Sequence, residues 1–255
     1  MTGVAIKLVE LKLFFYSELE NIYPEGEINA MFNLICEHYF KKTPYQINSL
    51  SENEFLNSKF FECIEKLKQH IPLQYILGET FFYGLNISVN PSVLIPRPET
   101  EELVDLIIRD YSIKSLTDKN ILDVCSGSGC IALALKSKSH SSKIWACDIS
   151  DEALNTSEKN SNELNLLVNF FHCDILNENL SINLINQHFE IIVSNPPYIL
   201  ESEKNSLSEN VVLHEPHRSL FVEGNDEIIF YKKIIDLSES KLNPGGKLFF
   251  ELNPL

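Results

Sequence analysis

The sequence predicts an α/β protein, a parallel sheet wrapped by helices with a small helical bundle ahead of it. Three observations predict this. From Ile121 onward, strand-like apolar runs alternate with helical patterns, the texture of a parallel sheet. Before His70, apolar residues recur at helical spacing. Asn195-Pro196-Pro197-Tyr198 directly follows the apolar run Ile191-Ile192-Val193. Two prolines lack the N–H and fix φ, so a buried strand must end there.

Taken in order, Ile28, Met31, Phe32, Ile35 and Tyr39 fall on one face of a helix. Ser51-x-x-Glu54 reads as a capping box starting another helix that carries Phe55, Phe60, Ile64 and Leu67. Pro24-Glu25-Gly26 and Pro44 punctuate between helices, and Pro72 closes a first domain over residues 1–72. Residues 73–100 read as a linker. In it, Phe81-Phe82-Tyr83-Gly84 and Ile87-x-Val89 form a β-hairpin with Gly84 and Asn86 as turn residues. Leu94 to Glu101 (Leu-Ile-Pro-Arg-Pro-Glu-Thr-Glu) is a rigid extended stretch entering a helix at Glu101. Residues 101–255 form the α/β domain. Its strands are expected at 121–125, 143–148, 170–173, 189–194 and 247–252, the last after the turn Asn243-Pro244-Gly245-Gly246. Its helices are expected at 130–138, 151–164 and 226–241.

The chain has 255 residues, 44% of them hydrophobic and 22% charged, which suits a soluble globular protein with ample core. No apolar run reaches about 18 residues, so no membrane span is expected. The N-terminus alternates apolar and charged residues and lacks a signal-like apolar stretch, so a cytoplasmic location is expected. The six cysteines show no C-x-x-C pair or zinc-ligand spacing and read as reduced and structural, with no metal. The net charge of −15 repels phosphate backbones and makes a nucleic-acid duplex a poor partner.

In parallel sheets the ligand sits beyond the carboxyl ends of the strands, where strand order reverses. Four features fall there. Asp123-x-Cys125-Ser126-Gly127-Ser128-Gly129 is a small-residue turn that lets the backbone approach a ligand. Asp148 ends the next strand, where a carboxylate accepts both hydroxyls of a ribose or caps the following helix, and its spacing favours the ribose. Asp174 can accept the exocyclic amine of adenine with Ile175 packing on the ring, or be an ordinary loop carboxylate. The fourth is the Asn195 turn, whose amide, carbonyls and aromatic ring suit a planar NH₂ group.

Gly127-x-Gly129-x-x-Ala132 also matches a dinucleotide pattern. Asp123 decides against it, because an acid there opposes a pyrophosphate but suits a cationic amino group. S-adenosylmethionine has an amino group, a ribose and an adenine without phosphate, and the three acids fit it item by item.

The motifs Leu94–Glu101, Ile121–Cys130, Ser194–Tyr198 and His214-Glu215-Pro216, in this order, resemble the glutamine-N5 methyltransferases of peptide-chain release factors. The resemblance runs from the helical bundle to near the C-terminus. It implies a Rossmann-like S-adenosylmethionine-dependent methyltransferase sheet joined by a β-hairpin to a substrate-recognition bundle. It implies that Cys125–Gly129 and Asp148 bind the donor, leaving S-adenosylhomocysteine as product. Asn195–Tyr198 would bind the glutamine of a Gly-Gly-Gln loop in a class I release factor. Accepting its N–H bonds at the Asn195 oxygen and the Pro196 carbonyl, with Tyr198 stacked on the amide, would direct the nitrogen lone pair without a general base. Arg97 and Thr100 are candidates for gripping the donor or shaping the pocket, or Arg97 belongs to a salt-bridged linker.

Two departures from the family pattern stand out. Cys125 replaces a frequent glycine and is expected to fit with negative φ. Two further family strands have no counterpart before Leu255, so Phe249 and Phe250 are expected to be under-covered on an edge. The chain is expected to act as a monomer without binding nucleic acid. The rival readings are an adenine-N6 methyltransferase, a non-catalytic donor-binding protein and a nicotinamide oxidoreductase.

Overall fold

The structure is a computed structural model that describes residues 8–40, 58–177, 182–224 and 226–252. It divides into two compact units, Met1–Leu77 and Gly78–Leu255. The capping box at Ser51 and the break at Pro44 lie outside the described residues.

In the first unit, α1 spans Leu8–Leu19, α2 Glu25–Phe40, α3 Ser58–Leu67 and α4 Leu73–Leu77. The predicted face of α2 is the buried one: Ile28, Met31, Phe32 and Ile35 join Leu11, Phe15, Phe60 and Ile64 in one core. The Phe15 ring lies 5.5 Å from Phe32 and 5.7 Å from Phe60, within the range of favourable tilted aromatic pairs. Helix α4, with five residues, is too short to show a helical period in the sequence.

The second unit opens with β1 (Glu79–Phe82) and β2 (Leu85–Ser88), an antiparallel hairpin. Its two-residue turn is Tyr83-Gly84, both at positive φ, so Asn86 lies in a strand rather than in the turn. The hairpin belongs to this unit rather than to a separate linker. The Asn160 side chain accepts the Ser88 N–H at 2.7 Å and donates to the Ser88 carbonyl at 3.0 Å, as a neighbouring strand would.

Helix α5 runs Pro98–Leu116, starting three residues before the expected Glu101. Proline at the first helical position has its φ preset and no N–H to leave unpaired. Then follow β3 (Asn120–Val124), α6 (Cys130–Lys138), β4 (Lys143–Asp148), α7 (Asp151–Leu164), β5 (Asn169–His172) and β6 (Phe189–Ser194). After them come β7 (Ile199–Leu200), α8 (Glu209–His214), α9 (His217–Leu220), β8 (Phe221–Val222), α10 (Ile229–Lys241) and β9 (Leu242–Phe250). The main sheet is parallel in the order β5-β4-β3-β6-β9, so strand order reverses between β3 and β6.

The last strand differs from its expected form. Asn243–Gly246 is no turn ahead of a strand; it bulges within β9, where the register jumps between Phe189↔Leu242 and Ile191↔Lys247. Gly245 has φ +80°, and a Cβ on Gly246 would meet the Asn243 carbonyl oxygen at 2.9 Å. Phe249 is not under-covered: it is buried, with the Tyr111 ring 6.5 Å away, and the Tyr231 ring lies 5.1 Å from Phe250. Residues 199–222, read without elements from sequence, carry the small β7–β8 ladder and an apolar cluster of Ile199, Leu220 and Phe221.

Candidate active site

A cavity of about 760 Å³ opens at the carboxyl ends of β3, β4, β5 and β6. That lies within the usual range for a small-molecule site, about 300–1,000 Å³. Cys125, Ser126, Gly127, Ser128, Asp148, Asp174, Ile175, Asn195 and Pro197 line it, together with Arg97 and Thr100.

The loop after β3 alternates positive-φ residues: Cys125 at 62°, Gly127 at 54° and Gly129 at 78°. The expectation of negative φ at Cys125 is therefore overturned. The loop is tied to β4, because Ser126 donates its N–H to the Cys147 carbonyl at 3.0 Å. Gly129 does not line the cavity. A Cβ there would sit 3.0 Å from the Ser157 Cβ and 3.2 Å from the Phe170 ring, so glycine serves helix-to-sheet packing.

Asp123 also departs from its expected place. It is fully buried beneath the loop, and its Oδ2 accepts the Ala132 N–H in the first turn of α6 at 3.1 Å. Its Oδ1 has no partner, and burial pushes the carboxyl up to about 8. The acid serves the helix start rather than a cationic group in the cavity.

Asp148 holds the loop while facing the cavity. One carboxylate oxygen accepts the Gly127 N–H at 2.8 Å and the other the Ser150 N–H at 3.0 Å. The cap of α7 is Ser150, whose hydroxyl accepts the Ala153 N–H at 3.2 Å. Burial raises the Asp148 pKa against the backbone N–H groups, which favour its charged form. Each carboxylate oxygen keeps acceptor capacity for a ligand. Asp174 accepts the Leu176 N–H at 3.0 Å, which fixes its side chain beside Ile175.

At the end of β6 the Asn195 amide nitrogen donates to the Thr100 hydroxyl at 3.3 Å. Pro196 is buried and is not among the lining residues. Tyr198, expected to stack on an amide, is also absent from the lining and instead packs against the Ile199–Leu220–Phe221 cluster. Arg97 donates to Glu215 at 2.6 Å, and Glu215 also accepts the Ile95 N–H at 3.3 Å. Arg97 thus belongs to a structural ion pair. The sequence reading gave Glu215 no role; an acid beside a proline was its one available signal. His217, Arg218 and Phe230 line the cavity from segments it did not connect to the site. No group of side chains among the described residues could hold a metal ion.

Residues 105–235 match the family model described as Methyltransferase small domain. A release factor glutamine methyltransferase of Flavobacterium psychrophilum is 42% identical over 243 residues, 94% of this chain and 84% of that one. The chain belongs to the release factor glutamine methyltransferase family. The family member of Bacteroides thetaiotaomicron is 38% identical, over 94% of this chain and 85% of its own length. That of Streptococcus pneumoniae is 33% identical, over 97% and 85%. Among solved structures, the 16S rRNA N2 G1207 methyltransferase of Thermus thermophilus, in complex with AdoMet and guanosine, aligns with TM-score 0.51 at 18% identity. It covers 69% of this chain and 41% of that one, and the likeness is one of fold: a Rossmann-like methyltransferase sheet. In this member of the family, no described helix is long and apolar enough to cross a membrane.

Proposed function

We propose that this chain transfers a methyl group from S-adenosylmethionine to the side-chain amide nitrogen of the glutamine in the Gly-Gly-Gln loop of a class I release factor. The observation that carries this reading is the Asn195–Thr100 hydrogen bond. It commits the Asn195 NH₂ to the protein and leaves the Asn195 carbonyl oxygen to accept an N–H from a substrate amide. An aspartate end to β4 and a small-residue loop beside it fit a donor that has a ribose and no phosphate.

When bound, S-adenosylmethionine supplies an electrophilic methyl group. Asp148 would offer its remaining acceptor capacity to the ribose hydroxyls, and Asp174 would accept the adenine amine with Ile175 against the ring; all three residues line the cavity. Cys125, Ser126, Gly127 and Ser128 bring the backbone close. The Asn195 carbonyl oxygen accepts a substrate N–H, holding the amide so that its nitrogen lone pair points into the cavity. Pro197 walls the site, and Tyr198 braces the turn from behind. Alignment and exclusion of water are the contribution of these residues, and no side chain acts as a general base before transfer.

The net charge of −15 supports a protein substrate over a nucleic acid. Incubation of the full chain with a release factor and donor, followed by mass spectrometry of the Gly-Gly-Gln peptide, tests the reading. The expected result is a glutamine heavier by one methyl in place of one hydrogen. An unmodified glutamine, or methylated adenine in an oligonucleotide offered instead, overturns it.

A further inference from the structure

The Glu251 carboxyl, just past the end of β9, does not line the cavity. Its backbone N–H donates to the Ser194 carbonyl at 3.1 Å, which extends the β6–β9 ladder one step beyond Ser194↔Phe250. That step places Glu251 beside Asn195. The Glu251 carbonyl is pinned from the other side, accepting the Tyr231 hydroxyl at 3.1 Å. Its side-chain Oε2 is buried without a hydrogen-bond partner. Such a group costs stability and calls for an explanation.

The explanation lies in the polarity of an amide. Asn195 presents an oxygen acceptor on one side and an NH₂ donor on the other, and the two ends are nearly isosteric. Thr100 alone cannot choose between them, because a hydroxyl both donates and accepts. A carboxylate only accepts. Thr100 and Asn195 stand among the groups that favour the charged form of Glu251, so both side chains lie close enough to its carboxylate to feel its charge. With the Thr100 proton turned to Glu251, Thr100 can only accept from Asn195. A flipped Asn195 would aim its oxygen at the carboxylate.

We propose that Glu251 is a positioning residue for Asn195, acting directly and through Thr100 to keep the amide NH₂ inward and the carbonyl oxygen facing the substrate. The proposal rests on the reading of Asn195 as the acceptor for the substrate amide. Neither Glu251 nor Tyr231 lines the cavity, so the role is to orient and not to bind.

The relay has a pH signature. Burial raises the Glu251 pKa above the usual carboxylate value, and Glu99 raises it further. Thr100, Asn195 and Arg97 act in the opposite sense, and burial is the largest influence. The Tyr198, Tyr231 and Cys130 side chains also face this charge. Lowering the pH through this raised pKa protonates Glu251, which then can donate to Thr100 and release the choice of amide face.

The experiment uses the full chain, following the Asn195 side-chain amide signals by ¹⁵N NMR across that pH range, alongside turnover on a release factor. In the wild type the signals shift as Glu251 is protonated, and kcat falls on the acid side. Glu251→Gln abolishes both pH responses and lowers kcat about tenfold or more, the scale of a misplaced reacting group, with donor affinity kept. Thr100→Ser retains activity, whereas Thr100→Val matches Glu251→Gln and the double variant is no worse than either. Asn195 signals that ignore pH in the wild type overturn the relay. So does a Glu251→Gln protein with wild-type kcat and acid limb, or one that loses donor affinity in step with kcat. If Glu251→Gln does not fold, the Thr100 pair carries the same test. A wild type that leaves the glutamine unmodified overturns the methylation reading alone, while the NMR titration still decides the relay.

Discussion

Arg97 and Glu215 form an ion pair at 2.6 Å although 118 residues separate them in the chain. The Glu215 side chain is 1% exposed and that of Arg97 32%. The pair therefore clips the stretch before α5 to the segment between α8 and α9. Both segments wall the cavity, through Pro96 and Arg97 on one side and Pro216 on the other.

Removing the arginine leaves a buried carboxylate unpaired, which is far worse than never burying the pair. Arg97→Ala is expected to destabilise the protein by about 2–3 kcal/mol in urea unfolding, below the fully buried range because Arg97 is part-exposed. Adding Glu215→Gln to Arg97→Ala should recover part of that loss. An Arg97→Ala protein as stable as wild type would show the pair to be idle.

Cys125 sits at φ 62°, a region that side chains bearing a Cβ rarely occupy and β-branched ones avoid. Cys125→Val is expected to lose about 2 kcal/mol and weaken donor binding, while Cys125→Gly keeps the loop conformation and binds the donor. Thermal melts and donor calorimetry on both variants check this. Equal behaviour of the two would mean that the backbone there is not constrained.

Asp123 gives the fold a pH dependence with an unusual sign. Burial raises its pKa from 3.8 to about 8, so the folded protein holds a proton that the unfolded chain releases. Its contribution to stability is present below the unfolded value and is lost as pH rises from about 4 to about 8. Asp123→Asn keeps the shape and the acceptor for the Ala132 N–H but cannot ionise. The variant should gain stability relative to wild type toward the alkaline end of that window. Parallel pH profiles for the two proteins would contradict the assignment.

What was legible in the sequence was local. Cys130–Lys138, Lys143–Asp148, Asp151–Leu164 and Phe189–Ser194 fall where period and capping residues place them, since each carries its own signal. The loop, Asp148, Asp174 and Asn195 were legible because strand ends in such sheets meet at one crevice. Pairings across the chain were not. Nothing near Arg97 names Glu215, and nothing near Asn195 names Thr100 or Glu251. The β7–β8 ladder has two residues in each strand, too few to show alternation. The residues Asn243-Pro244-Gly245-Gly246 spell a turn locally, yet tertiary pairing on both sides makes them a bulge.

Asp148 is expected to set donor affinity. Asp148→Asn turns one acceptor into a donor facing either the Gly127 or the Ser150 N–H, so the loop loosens and a ribose acceptor is lost. Hydrogen bonds to charged groups contribute about 1.5–3 kcal/mol, which predicts roughly tenfold to hundredfold weaker donor binding by calorimetry. Unchanged affinity would remove Asp148 from the donor site.

Asn195→Ala separates binding from transfer. Asn195 joins Thr100 at 3.3 Å and lines the cavity, whereas Asp148 and Asp174, the acids proposed to hold the donor, stand at the ends of β4 and β5 and do not depend on it. The alanine variant should therefore bind the donor with near wild-type affinity. It should lose an acceptor that holds the substrate nitrogen in line, and losing one preorganised polar contact of this kind costs about 10²–10³ in kcat. Because Asn195 meets the substrate amide in the ground state as well, KM for the release factor should rise, but by less than kcat falls. Single-turnover methylation with enzyme in excess isolates the transfer step from release of product. Near-full transfer with unchanged donor binding would show that the amide nitrogen is aligned by groups other than Asn195.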